Sequence, residues 1–147
     1  MTIKKKSSTG FKKEYNAYNK YDRKFILKDF NDKIRDNKTF YNLLSKYIKK
    51  TGRKNAHVRI LEVGCGTGRT VCYLSKQFRK TKVYGLDILK ESIGFSKKLA
   101  KILRCEKRVK FIMGNAEKMP FSNRFFDIIL SQGTIEHFKD ISKIMKE

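Results

Sequence analysis

A chain of 147 residues with 36 Lys and Arg against 14 Asp and Glu carries a formal net charge of +22 at pH 7. That length gives one domain with one core. No apolar run approaches the roughly 18 residues of a membrane span, and Met1–Lys20 lacks the apolar stretch of a secretory signal, so neither is expected. Cys65, Cys72 and Cys105 are odd in number, widely spaced and without a CxxC pair, which argues for reduced thiols in a cytoplasm rather than a disulfide scaffold or zinc site.

The charge has two readings. It is able to track a phosphate backbone and bind nucleic acid in a salt-dependent way, or it is a solvated Lys- and Asn-rich composition without a partner. Residues 1–57 carry a net +12 and residues 58–147 a net +10, so the excess is spread over both halves and the second reading is favoured.

In chain order, Met1–Lys13 is a basic arm with Lys4-Lys5-Lys6 and Ser7-Ser8-Thr9-Gly10, expected to be disordered. Tyr15, Tyr18 and Tyr21 recur every three residues and lead into Phe25-Ile26-Leu27 and Phe30. Such a stripe is either a packed helical face or, interleaved with Lys, a stacking platform for bases; packing is favoured. Phe40, Leu43, Leu44, Tyr47 and Ile48 form the stripe of an amphipathic helix that ends in Lys49-Lys50 and a capping Gly52, expected to pack beside the first strand. Arg53–His57 is a connecting loop, with His57 exposed.

Val58, Ile60, Leu61 and Val63 then read as a strand covered on both faces. Gly64-Cys65-Gly66-Thr67-Gly68 follows as a turn, and a helix resumes from about Arg69 to Phe78. Three glycines at alternate positions admit left-handed backbone and close approach of a ligand. The helix start presents free N–H groups to whatever sits there. Lys82–Ile88 is a second buried strand ending at Asp87, followed by a helix over Glu91–Leu103. Val109–Met113 is a third strand, followed by Gly114-Asn115-Ala116-Glu117, and Phe125–Leu130 a fourth, followed by Ser131-Gln132-Gly133-Thr134-Ile135-Glu136-His137-Phe138.

Glu62 followed by Gly64-Cys65-Gly66-Thr67-Gly68 resembles motif I of the class I S-adenosylmethionine-dependent methyltransferases. A nicotinamide-type Gly-x-Gly-x-x-Gly spacing would instead put its last small residue on Arg69 or Val71, and neither is small. Asp87 lies 19 positions beyond Gly68, where the family carries an acid for ribose hydroxyls. Gly114-Asn115-Ala116 stands where the family often has Gly-Asp-Ala, and the segment closing in Glu136-His137 is similar to the UbiE/UbiG-like branch. The matching segments span roughly residues 59–140, and their joint order is far more specific than any one of them.

The resemblance implies an α/β fold: a Rossmann-like, doubly wound parallel sheet of order 3-2-1-4, lacking the family's last three strands. Residues 1–36 then form a basic arm and helical extension, and residues 37–147 a partial S-adenosylmethionine-binding domain. Strand four becomes an unpaired apolar edge, left by a truncated gene product or covered by a partner chain. The resemblance also implies a donor site. Gly64, Cys65, Gly66 and Gly68 carry the methionyl and ribose parts, Glu62 organises the amino group, and Asp87 binds ribose. Ile88 flanks adenine, Asn115 and Ala116 hold its edge, and Ser131 closes the pocket floor. For Asp87 the competing reading is a helix cap.

Methyl transfer from an activated sulfonium needs alignment more than a covalent nucleophile, so the legible residues are those that hold the donor. His137 and Glu136 are the candidates for acid–base work, since an imidazole suits proton transfer near neutral pH; the alternative is that they only begin a helix. A Glu-x-x-Glu-His metal site would need its first Glu at Gly133, so no metal is expected. The sequence Ser131-Gln132-Gly133-Thr134 does not match the Asp/Asn-Pro-Pro-Tyr/Phe of base amino-methyltransferases. The expected function is methyl transfer to an unidentified acceptor, with a non-catalytic donor-binding or RNA-associated module as the alternative.

Overall fold

The structure is a computed structural model that describes residues 13, 16–17, 20–51, 58–138 and 140–146. Residues 1–12 of the basic arm, Tyr15, Tyr18, Gly52 and the loop to His57 lie outside them. Two helices lead, α1 (Arg23–Asp36) and α2 (Lys38–Thr51); then come β1 (Arg59–Val63), α3 (Arg69–Gln77), β2 (Lys82–Asp87), α4 (Lys90–Ile102), β3 (Val109–Met113), β4 (Ile128–Ser131), a 3-10 turn at Ile135–His137 and α5 (Ile141–Lys146). The sheet is parallel throughout, in the order β3-β2-β1-β4. Among the described residues no helix is long and apolar enough to cross a membrane.

The strands read as apolar runs because both faces are covered, the usual state of parallel sheets. Alternation along β1 sends Ile60 to one face and Leu61 and Val63 to the other. The Ile60 face packs with Val83, Phe111 and Ile128 under Val71, Leu74, Phe95 and Leu99 of α3 and α4, and Ile26, Phe30 and Ile48 of α1 and α2 join it. The Leu61 face is smaller: Val63, Leu86, Ala116 and Ile144, flanked by Tyr84, Ile112, Phe121 and Phe126.

Two elements depart from expectation. The apolar stripe of α2 is split: Leu43 and Tyr47 are 62% and 57% exposed, whereas Tyr41 and Ile48 are buried. Tyr41 sets the helix's orientation by packing its ring 4.4 Å from that of Tyr73 on α3. β4 starts at Ile128, three residues later than the apolar run suggests. Arg124 takes a left-handed conformation (φ 59), and Phe125 and Phe126 turn into an edge-to-face cluster with Tyr84 and Phe121. Asp127 closes this corner, its carboxylate accepting from Arg59 N at 2.8 Å while its own N–H donates to Arg59 O at 2.9 Å. On the far side of β4 no described strand pairs, and Ile129 is 55% exposed there.

Candidate active site

An open cleft of about 720 Å³ lies at the carboxyl ends of β1, β2 and β4, where ligands bind in doubly wound folds. Its base is the glycine turn. Gly64 and Cys65 N–H both donate to Leu86 O, at 2.8 and 2.9 Å, which stitches the start of the turn to β2. Gly64 has φ +71, and a Cβ there would overlap the side chain of Thr134, whose hydroxyl donates to Gly64 O at 3.3 Å. Only glycine permits both the left-handed backbone and this contact. From below, the Ser92 and Ser96 hydroxyls of α4 both donate to Gly66 O, at 2.5 and 2.9 Å.

Two carboxylates flank the turn. Asp87, half-buried at the end of β2, accepts from Gly66 N at 2.8 Å and from Leu89 N at 2.9 Å. It therefore clasps the turn with one oxygen and shapes the entry to α4 with the other. It is not a cap in the ordinary sense, because Leu89 itself occupies the N-cap position of α4 and makes no side-chain cap bond. Each oxygen keeps a lone pair for a hydroxyl donor.

Glu62 is 4% exposed, on the helix-facing side of β1. It accepts from the Thr70 hydroxyl and the Val71 N–H at the start of α3, yet its Oε2 has no partner among the described residues. Burial pushes its carboxyl up to about 8; those two bonds oppose the rise and the nearby Asp87 charge adds to it. The Tyr41 hydroxyl completes the chain, 3.3 Å from Thr70 Oγ1, and burial raises that phenol too. Arg69, beside them, is held by Asp29 of α1 at 2.9 Å in a half-buried ion pair.

The cleft brings together nine of the twelve residues singled out from the sequence: Glu62, Gly64, Cys65, Gly66, Asp87, Ile88, Asn115, Ala116 and His137. Three stand apart. Gly68 sits behind the turn, where a Cβ would lie 2.8 Å from Phe111 and Ser96, so its role is to let α3 approach β3 and α4. Ser131, expected at the pocket floor, donates instead to Val63 O at 3.0 Å across β1 and β4, and the wall there is made by Gln132, Gly133 and Thr134. Glu136 is exposed outside the cleft while its neighbour His137 lines it, because successive residues of the 3-10 turn face different ways. The Asn115 carbonyl, expected to meet an adenine amino group, already accepts from Glu117 N at 2.9 Å in a tight turn, leaving one lone pair.

The sequence did not point to Lys33, Asn37 and Tyr41, which form the wall contributed by α1 and α2, nor to Thr70. Thr70 carried a local signal, a hydroxyl one turn into a helix facing an acid. Among the described residues no cluster of three His, Cys, Asp or Glu is placed to hold a metal. The donor implied by the resemblance carries an ammonium, a ribose diol and an aromatic base. An orphaned buried carboxyl oxygen, a carboxylate at the end of β2 and the apolar Ile88 at the rim fit those three groups in that order.

Residues 54–147 match the methyltransferase domain family. The chain is 34% identical over 88 residues to ajmaline N-methyltransferase of Rauvolfia serpentina, covering 60% of this chain and 30% of that protein. It is 33% identical over 98 residues to the methyltransferase YcgJ of Bacillus subtilis, covering 67% and 38%. The crystal structure of YcgJ superposes with a TM-score of 0.61 at 30% identity, over 72% of this chain and 44% of that one. A structure from Methanococcus maripaludis, described as a putative S-adenosylmethionine-dependent methyltransferase, shares the fold over 99% of this chain and 60% of its own (TM-score 0.66, 18% identity). The chain thus spans well under half the length of these curated relatives. By the match over residues 54–147, it belongs to the methyltransferase domain family.

Proposed function

We propose that this chain holds S-adenosylmethionine in the cleft at the ends of β1 and β2 and serves methyl transfer to a nucleophilic acceptor. The observation that carries this reading is the glycine turn held between two carboxylates, one clasping it through Gly66 N and the other with an unpartnered oxygen. When bound, the donor supplies an electrophilic methyl group on a sulfonium. Asp87 receives the ribose hydroxyls, Ile88 and Ala116 flank the base, and Glu62 takes the amino group. These contacts fix the reacting carbon in place; orientation of this kind supplies on the order of 7–11 kcal/mol of a bimolecular barrier.

The acceptor approaches between Lys33, Asn37 and Tyr41 on one side and Gln132, Thr134 and His137 on the other. His137 is the group there suited to take a proton from an O–H or N–H acceptor as the new bond forms. The curated relatives are named for both N- and O-methylation, so the atom methylated follows from the acceptor wall and not from the donor site. The buried free thiols suit a reducing cytoplasm. The strongly basic chain and the uncovered edge of β4 leave nucleic acid and a partner chain as further associates of this reading.

Calorimetric titration with S-adenosylmethionine, followed by radiolabelled methyl transfer into a cell extract, tests the reading. Saturable binding with labelled product supports it. Tight binding without product reduces the chain to a donor-binding module, and no binding removes the donor site.

A further inference from the structure

We infer that Glu62 is neutral in the donor-free protein and surrenders a proton to solvent as it takes the donor's α-ammonium, so that donor binding is coupled to proton release. The inference rests on the donor-site reading and concerns the charge state of one side chain within it. Its first support is geometric. Glu62 lies at the cleft base, 4% exposed, with Oε2 unpartnered among the described residues, and an ionised carboxylate with a bare buried oxygen would be poorly compensated.

The second support is the set of groups around it. Asp87 faces it from β2, Cys65 from the turn, Tyr41 from α2 and Cys72 from α3, with Arg69, Lys33 and His137 also lining the cleft. Asp87 repels a second negative charge, and its own oxygens are already served by Gly66 and Leu89 N–H. Arg69 is engaged by Asp29. The Thr70 hydroxyl and Val71 N–H are neutral donors. Among the described residues no cation is thus given over to Glu62, and burial holds its proton on at neutral pH.

An arriving ammonium supplies the missing charge. The carboxyl O–H bond breaks, the proton passes to buffer, and a carboxylate–ammonium pair remains; no electrons are transferred. Below the carboxyl's own titration the apparent affinity then rises with pH, by about tenfold per unit where one proton is released. It levels off as the donor's amine starts to lose its charge, near the ordinary range of an α-amino group.

The experiment is isothermal titration with S-adenosylhomocysteine, which keeps the α-ammonium and lacks the sulfonium, in phosphate and in Tris at pH 7. The buffers differ in ionisation enthalpy, so the difference in observed heat counts protons. About one proton released by the wild type and by His137→Gln, and none by Glu62→Gln, is expected. Binding with equal heat in both buffers, or release that persists in Glu62→Gln, overturns the inference while leaving the donor site standing. No binding at all overturns the donor site and this inference with it. Should Glu62→Gln bind too weakly to titrate, infrared difference spectra of the wild type decide. The C=O stretch of a protonated carboxyl must vanish on binding, and an unchanged band refutes the coupling.

Discussion

β1 and β2 lie side by side, and each delivers a carboxylate to the same turn, but the two are treated in opposite ways. Asp87 reaches past the end of its strand to two backbone N–H groups and is half-buried. Glu62 sits one pleat back, level with Gly85 on β2, enclosed by α3 and left with an oxygen that none of the described residues satisfies. The difference sets an acid bound into the fold through both oxygens beside one that keeps an oxygen unused by the described residues. Buried polar atoms are nearly always paired in native proteins, so an exception of this kind is a candidate ligand contact. Asp87 shapes the turn through two backbone N–H groups, and on the proposed reading it is Glu62 that takes the donor's amino group.

The harshest way to break this contrast is to displace the turn both acids serve. Gly64→Ala forces a side chain into left-handed backbone and into Thr134. It should lower donor affinity by at least about 100-fold, read by calorimetry, with a clear fall in Tm, because strain and overpacking act together. Next, Asp87→Ala leaves the Gly66 and Leu89 amides without their acceptor and, on the proposed reading, removes the ribose partner. A loss of about 1–3 kcal/mol in donor binding is expected, and unchanged affinity would take Asp87 out of the site.

Glu62→Gln sharpens the comparison, because it should weaken binding while stabilising the donor-free fold at alkaline pH. The sign follows from linkage. Burial pushes the folded carboxyl up to about 8 from its ordinary 4.5, so the native state retains a proton that the unfolded chain releases. Stability is therefore lost as pH rises from about 4.5 through 8, and an amide escapes that loss. Thermal melts of both proteins across this range should cross, the variant being higher at pH 8.5; parallel curves would refute the assignment. The smallest effect belongs to Asp29→Asn, which removes the partner of Arg69. A partly exposed ion pair is worth under about 1 kcal/mol, visible as a slight drop in Tm that high salt reduces.

The glycine-turn half of the cleft was legible because it is written locally: a buried strand, alternate glycines and an acid closing the next strand sit within 30 residues and leave their signature in order. The wall from α1 and α2 was not. Tyr41 lies one position off the apolar stripe of its helix, and only its packing against Tyr73 and Thr70 brings it to the cleft. Periodicity cannot report which of two adjacent faces a neighbour will cover. The same ambiguity hid the start of β4, where Phe125 and Phe126 look like strand residues but serve an aromatic corner. Ser131 was placed at the cleft from its position in the motif, yet its pairing with Val63 directs the hydroxyl into the sheet.

The peptide unit of Gly66 is gripped from both sides, its carbonyl by two serine hydroxyls of α4 and the neighbouring N–H by Asp87. A loop amide bordering solvent usually trades its hydrogen for deuterium within moments, whereas one so fastened has no local opening that frees it cheaply. Exchange at Gly66 should then follow the unfastening of α4 from β2, and the loop that looks most pliable by composition belongs to the stiff frame of the molecule.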